Sequence, residues 1–200
     1  MSLIFLGPIL NACVASRVCQ TRTWSLELKA ERVVSLFNAT FSSSHHTQLV
    51  GGADEPIYIG HQGSCSRIYF CHDYVSSALH EIAHWCLAGS YRRSLADYGY
   101  WYQGQRDACQ QGKFEQVEVE PQALEWIFSE ALGVGFRVSV DNLDLAGYDA
   151  TEFRRAVRDA AQSRVQAGLN GRAARFARVL AEEGVGIGYD KLEVYQRLPD

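Results

Sequence analysis

The chain has 200 residues, of which 47% are hydrophobic and 21% are charged. This composition is typical of a single globular domain with a core, and it excludes a disordered or fibrous chain. The formal net charge of −4 at pH 7 argues against a nucleic-acid partner, because such proteins usually carry excess positive charge. The six cysteines form no C-x-x-C pair, and we interpret them as reduced thiols of a cytoplasmic protein.

Residues 1–24 contain a short apolar run with no basic segment before it. The run is too short to cross a bilayer and lacks the usual features of a secretory signal. We therefore expect a disordered N-terminal extension at 1–24, a single domain at 25–200, and no membrane partner.

The first half of the domain contains both helical and strand patterns. Apolar residues recur at helical spacing between Ser25 and Phe37, and a polar stretch that we expect to be a loop follows. The pattern then predicts two short strands and a helix that Asp73 caps and Gly89 ends. In chain order the predicted elements are a helix from Ser25, a loop at Ser42–Gln48, strands at Ile57–Ile59 and Ser66–Phe70, and a helix at Tyr74–Ala88.

The second half is mainly helical. A stretch rich in aromatic residues and glycine, Asp97–Glu115, has no clear period and is interpreted as a binding loop or a linker. Helices are then expected from about Pro121 or one turn earlier to Gly133, at Thr151–Ala167 and at Arg172–Glu183, with a strand at Phe136–Val140 and a frayed tail. The predicted fold is a mainly helical α+β domain with a small sheet.

The stretch ALHEIAHWCLAG contains the motif H-E-x-x-H, formed by His80, Glu81 and His84. Residues four apart lie on the same face of a helix, so both imidazoles can point a ring nitrogen at one ion about 2 Å away. Glu81 can then reach a water at the metal as a base or orienting group. The alternative is a pair of core histidines that are hydrogen-bonded to their neighbours.

A third ligand is expected from the acidic stretch that begins at Phe114. Glu118 shares a helical face with Gln122 and Glu125 if the helix begins before Pro121, and it is our first choice. Glu115 and Glu120 remain alternatives, since a carboxylate near a helix N-terminus is also favoured by the helix dipole. The metal site would then lie between the H-E-x-x-H helix and this second helix.

Two histidines and one carboxylate serve two different chemistries. Zinc with Glu81 as general base gives a metallopeptidase, which the motif alone favours. Ferrous iron with open coordination positions gives an oxygenase. A non-catalytic module with a structural metal is a third reading, but the sequence offers no convincing fourth ligand.

Five segments together resemble the elongation factor P hydroxylase family: DEPIYIG, ALHEIAHWCLAGSYRRSLADYGYWY, FEQVEVEPQALEWIF, VDNL and RAARF. The resemblance runs from about Ser25 to Val179, and its longest block is far more specific than H-E-x-x-H. The family usually has a Pro-Asp-Gly-Arg turn after the Tyr-Trp-Tyr run. Here the sequence is WYQGQRDA, so the conformation of that loop is the point at which this chain departs from the family.

The resemblance implies a cytoplasmic metal-dependent monooxygenase that hydroxylates a lysine of elongation factor P after that lysine has received a β-lysyl group. It implies that His80, His84 and a Glu of the VEVEP stretch hold the metal, which we expect to be Fe(II) with O₂ as co-substrate. Glu81 would then orient groups near the metal or handle protons. Side chains expected to bind the cationic substrate are Asp97, Tyr100, Trp101 and Asp107, with Glu55 as a further candidate.

Arginines are concentrated in the C-terminal part of the chain and after the H-E-x-x-H helix. They either form a basic face that steers an acidic protein partner or are ordinary solvated helix residues, and the second reading is slightly favoured. The residues concerned are Arg92, Arg93, Arg154, Arg155, Arg158, Arg164, Arg172, Arg175 and Arg178.

Overall fold

The computed structural model describes residues 30–60, 64–99, 108–140, 148–184, 186 and 188–200. Its described part contains five α-helices and one small sheet, so the predicted mainly helical α+β class is confirmed. The expected extension at 1–24 lies outside the described residues. In chain order the elements are α1 (Ala30–His45), β1 (Thr47–Ala53), β2 (Ile57–Ile59), β3 (Ser66–Cys71), α2 (Val75–Leu87), α3 (Ala108–Leu132), α4 (Thr151–Ala167) and α5 (Gly171–Glu183).

The sheet has the strand order β1-β3-β2. The central strand β3 runs parallel to β1, with Leu49 opposite Ile68, and antiparallel to β2, with Tyr58 opposite Ile68. These three side chains are buried, because alternate residues of a strand point to the same face. The sheet therefore presents one apolar face to the helices.

Helix α2 runs through the core. Leu79, Ile82 and Trp85 are fully buried, and Trp85 packs against the rings of Phe37 and Phe41 with centroid distances of 5.1 and 4.9 Å. The helix contacts α1, α3, α5 and β3. Its position is thus fixed from several sides, while the flank that carries His80 and His84 stays partly open.

The C-terminal end of α2 is held by arginines. Nη2 of Arg172 donates to the carbonyl oxygens of Trp85, Cys86 and Ala88 at 3.1, 3.0 and 2.7 Å, and its guanidinium lies 4.7 Å from the Trp85 ring centroid. Arg93 also donates to the Ala88 carbonyl. The last carbonyls of a helix have no partner within the helix, and cations are favourable at this end. These two arginines therefore stabilise α2 rather than forming part of a free basic surface.

Helix α3 is much longer than expected at its N-terminus, because it begins at Ala108 and contains Pro121 in its interior. Its predicted end is confirmed. Gly133 has a φ of 79°, the Val134 amide donates to the Ser129 carbonyl at 3.0 Å, and the Gly133 amide donates to the Glu130 carbonyl at 3.3 Å. This is the Schellman arrangement, for which glycine is strongly preferred.

Several local predictions are wrong. Helix α1 extends to His45, into the expected loop at Ser42–Gln48. The hydroxyls of Ser42 and Ser44 donate to the carbonyls four residues earlier and so remain satisfied within the helix. Strand β1 then follows without a long connection. The predicted cap Asp73 has a positive φ of 56°, and Tyr74 takes the N-cap position without a side-chain bond.

The segment Phe136–Val140 is not a strand. Its Ser139 backbone is bonded instead to the side chain of Gln122, at 3.0 and 2.7 Å. The tail is not frayed either, since Tyr195 is fully buried and donates to the Tyr189 carbonyl at 2.7 Å. The two C-terminal helices are confirmed, with α5 one residue longer than predicted. No described helix is both long enough and apolar enough to cross a membrane.

Candidate metal centre

Three side chains from α2 and α3 bring their donor atoms together. The Nε2 atoms of His80 and His84 lie 3.0 Å apart. Each of these nitrogens lies 3.4 Å from a carboxylate oxygen of Glu118, Oε2 for His80 and Oε1 for His84. Among the described residues, this is the cluster of at least three side chains that could hold a metal ion.

These separations have the size that a shared ion requires. Two donors about 2.1 Å from one ion are about 3.0 Å apart at a right angle and about 3.4 Å apart at the tetrahedral angle. Two neutral imidazole nitrogens with facing lone pairs would repel each other at 3.0 Å unless a proton or a metal ion lay between them. The donor set of two imidazoles and one carboxylate therefore fits a divalent transition metal with coordination positions to spare.

A second carboxylate of α3 orients His80. Nδ1 of His80 lies 2.9 Å from Oε2 of Glu125, and Glu125 is buried. A proton on Nδ1, donated to this carboxylate, leaves the lone pair of Nε2 free for a metal, as in other metal sites with a carboxylate behind a histidine ligand. The sequence placed Glu125 on the correct helical face but gave no signal for its contact with His80.

The three donor atoms lie in an open cleft of about 1190 Å³. Its walls come from α2, α3, the start of β2 and the segment around Arg137. Six acidic residues line it against one arginine, Arg137, so the described part of the cleft is strongly acidic. The six are Glu55, Glu81, Asp97, Glu118, Glu125 and Asp200.

The protonation of these groups is set by burial and by their mutual contacts. Burial raises the pKa values of Glu81 and Glu125. Burial opposes a charged His80, but the hydrogen bond and charge of Glu125 outweigh it and raise the pKa of His80 to about 10. The pKa of Glu118 is lowered against the effect of burial by the hydrogen bond and charge of His84. Without a metal, the centre therefore retains a proton among its ligands.

The two alternative third ligands point elsewhere. Glu115 accepts from the Tyr148 hydroxyl at 2.9 Å and from Nε2 of Gln111 at 3.1 Å. Glu120 accepts from Nε of Arg164 at 2.6 Å on the outer surface. Of the three candidates, Glu118 is the one that the structure brings to the histidine pair.

The structure places the predicted substrate-binding residues only in part. Asp97 and Glu55 line the cleft, and Oδ1 of Asp97 accepts from the Tyr58 amide at 2.8 Å. Tyr100, Trp101 and Asp107 lie outside the described residues. Tyr98 also lines the cleft, and its ring lies nearly parallel to that of His84, with centroids 6.3 Å apart.

Two comparisons with known proteins show the family of this chain. Residues 36–185 match the model of the family described as elongation factor P hydroxylase. The chain is also 42% identical over 158 residues to the elongation factor P lysine hydroxylase of Haemophilus influenzae, an alignment that covers 78% of this chain and 89% of that protein. The chain therefore belongs to the elongation factor P hydroxylase family.

Proposed function

We propose that this protein hydroxylates the β-lysyl-modified lysine side chain of elongation factor P, with Fe(II) held by His80, His84 and Glu118 and with O₂ as co-substrate. The observation that supports this most strongly is the convergence of three metal-binding donor atoms in an open acidic cleft, in a chain of this family. The zinc peptidase reading, which the H-E-x-x-H motif alone favours, finds no support in either comparison.

The reaction needs a redox-active group, because no acid or base side chain can remove a hydrogen from an unactivated aliphatic carbon. Bound Fe(II) would supply O₂ activation. One oxygen atom of O₂ enters the C–H bond and the other leaves as water, so two electrons and two protons must come from an external reductant. The ligand set of two histidines and one carboxylate leaves open positions, as this chemistry requires.

Three carboxylates of the cleft have different tasks. Glu81 lies one residue from the ligand His80, and burial raises its pKa, so it can hold and release a proton near the reacting atoms. Glu118 has a lowered pKa and stays ionised as a metal-binding group. Glu125 keeps His80 in the tautomer that leaves Nε2 free.

The cleft suits a cationic substrate. A lysine that carries a β-lysyl group has ammonium groups, and the described walls contain more carboxylates than cations. Asp97 and Glu55 both line the cleft, and Asp97 is partly buried whereas Glu55 is exposed. We propose that Asp97, Tyr100, Trp101 and Asp107 contact the substrate, with aromatic faces stabilising an ammonium group.

A translation factor as substrate implies action in the cytoplasm without a nucleic-acid or membrane partner. Reduced cysteines fit that location: Cys65, Cys71 and Cys86 are free thiols in the described part of the chain. Because Arg158 pairs with Asp159 and Arg164 with Glu120, part of the C-terminal positive charge is already neutralised within the protein.

The test is the intact mass of elongation factor P that is co-produced in cells with the lysyl-modifying enzymes and with this protein. We expect the factor to gain the mass of one oxygen atom with the wild-type protein and none with His80→Ala. A factor that carries the β-lysyl group but no added oxygen atom, in the presence of soluble, iron-loaded wild-type protein, would refute the proposal.

A further inference from the structure

The two histidines of the centre are held in different ways. Nδ1 of His80 is bonded to a buried carboxylate of α3 at 2.9 Å. For His84, the hydrogen bond and ion-pair contacts seen among the described residues involve only Nε2. A ligating histidine usually has its ring orientation fixed through the nitrogen that does not bind the metal. For His84, the described residues offer an aromatic contact instead.

That contact is the ring of Tyr98. It lies nearly parallel to the imidazole of His84, with an interplanar angle of 11° and centroids 6.3 Å apart. The Tyr98 ring also stacks on the ring of Tyr58, with an interplanar angle of 12° and centroids 4.2 Å apart. Tyr98 is only 5% exposed and Tyr58 only 2%. The three rings therefore form a packed series that leads from β2 to the metal centre.

The backbone that carries Tyr98 is strained. Asp97, Tyr98 and Gly99 have successive φ values of 45°, 56° and 74°. Aspartate tolerates this left-handed region better than most residues, but a bulky tyrosine does not. Two hydrogen bonds hold the turn, from the Tyr58 amide to Oδ1 of Asp97 at 2.8 Å and from Nη1 of Arg92 to the Tyr98 carbonyl at 3.3 Å. Such strain persists only where the surroundings impose it, and it is common at functional sites.

We propose that Tyr98 is a positioning residue of the metal centre, whose ring face fixes the plane of the His84 imidazole so that Nε2 points at the ion. This inference rests on the proposed metal centre and goes beyond it. In this role Tyr98 does not itself bind the ion but acts through His84.

The phenol oxygen of Tyr98 separates two possible roles of the side chain. It is buried and has no hydrogen-bond partner among the described residues, so it does not help to hold the turn or the imidazole. The positioning role therefore belongs to the aromatic ring, and phenylalanine should fulfil it. An aliphatic residue of similar size should not.

The experiment compares Tyr98→Phe with Tyr98→Leu by titrating the metal-free proteins with Co(II) and recording the visible absorption of the bound ion. We expect Tyr98→Leu to weaken Co(II) binding by about 10–100-fold, the usual effect of losing a group that orients a ligand, and to change the spectrum. Tyr98→Phe should stay within about twofold of the wild type. The matched control is Tyr91→Leu, since Tyr91 is 75% exposed, and it should change nothing.

Equal Co(II) affinity and an unchanged spectrum in a folded Tyr98→Leu variant would overturn the inference. Because Tyr98 is buried, a second measurement uses the wild type alone. In the Zn(II)-loaded protein, nuclear Overhauser effects are expected between ring protons of Tyr98 and His84, and their absence would also overturn it. A wild type that binds no Co(II) would instead refute the proposed metal centre itself.

Discussion

Helix α3 has glutamates on two faces. They are close in sequence, but the two faces differ in solvent exposure and in the side chains that they contact. On the inner face, Glu118 and Glu125 are 3% and 7% exposed and contact the histidine pair. On the outer face, Glu120 has a side chain that is 54% exposed and pairs with Arg164. A carboxylate that is buried without a partner is very costly, and one in water is not. The position on the helix, rather than acidic character, therefore decides which carboxylates face the histidine pair.

The largest effect on metal affinity is expected for a substitution on the inner face of α3, compared with the same substitution on its outer face. Glu118→Gln removes a charged ligand, and we expect metal affinity to fall by more than about 100-fold, beyond the usual effect of losing an orienting group. Glu120→Gln makes the same chemical change two residues away and should leave affinity unaltered. Metal titration of both purified variants checks this. Comparable losses in the two variants would contradict the assignment of the third ligand.

The next effect concerns the orienting carboxylate. Glu125→Gln keeps an oxygen that can accept from Nδ1 of His80 but loses the charge that makes the imidazole a better ligand. After correction for the proton that the metal displaces from His80, we expect the affinity of the unprotonated site to fall about tenfold. The outer-face control is Glu115→Gln, because Glu115 contacts Tyr148 and Gln111 rather than the histidines. If the two variants bind metal equally well, Glu125 has no orienting role.

The contact between His80 and Glu125 also predicts how metal affinity depends on pH. The pKa of His80 is raised from 6.5 to about 10 without metal, so a metal must displace a proton anywhere below that value. Between pH 7 and 9 we expect wild-type affinity to rise by about tenfold per pH unit. In Glu125→Gln the pKa falls back toward its ordinary value and the rise should flatten. Metal titrations at several pH values measure both slopes, and parallel slopes would count against the Glu125 effect.

The raised pKa of His80 also bears on the stability of the metal-free protein. A folded-state pKa above the unfolded value of 6.5 stabilises the fold fully below pH 6.5, and this contribution is lost as pH rises through about 10. Thermal unfolding of the metal-free wild type should therefore shift to lower temperature across this window. Glu125→Gln should show a smaller shift over the same range.

The smallest effect is expected on the outer face. Arg164→Ala breaks the ion pair with Glu120, which is half exposed, and exposed pairs contribute less than about 1 kcal/mol to the free energy of unfolding. We expect the melting temperature to fall by at most about 2–4 °C and metal affinity to stay constant. A marked loss of metal binding would show that the two faces of α3 are coupled.

Much of the centre could be predicted from helical geometry alone. The clustering of His80, His84 and Glu118 follows from the spacing of residues on one helical face. For Glu118 it required helix α3 to begin before Pro121, and the helix does so. The contact between His80 and Glu125 could not be predicted, because it depends on the distance and rotation between α2 and α3. Those quantities are set by packing of the whole core.

Other features left no usable signal in the sequence. The left-handed turn at Asp97–Gly99 contains an aspartate and a tyrosine, and tyrosine does not favour positive φ. The serines of α1 resemble a loop by composition, yet their hydroxyls bond to the helix backbone. In both cases the outcome depends on contacts from distant parts of the chain or from the preceding turn, which composition does not encode.

The central claim is that this cleft holds iron through His80, His84 and Glu118 in order to hydroxylate elongation factor P. The most direct test uses the matched pair Glu118→Gln and Glu120→Gln, with iron content and the intact mass of co-produced elongation factor P measured in the same cells. The account predicts iron and the added oxygen atom with Glu120→Gln, and neither with Glu118→Gln. Full hydroxylation of the factor by iron-free Glu118→Gln protein would contradict it.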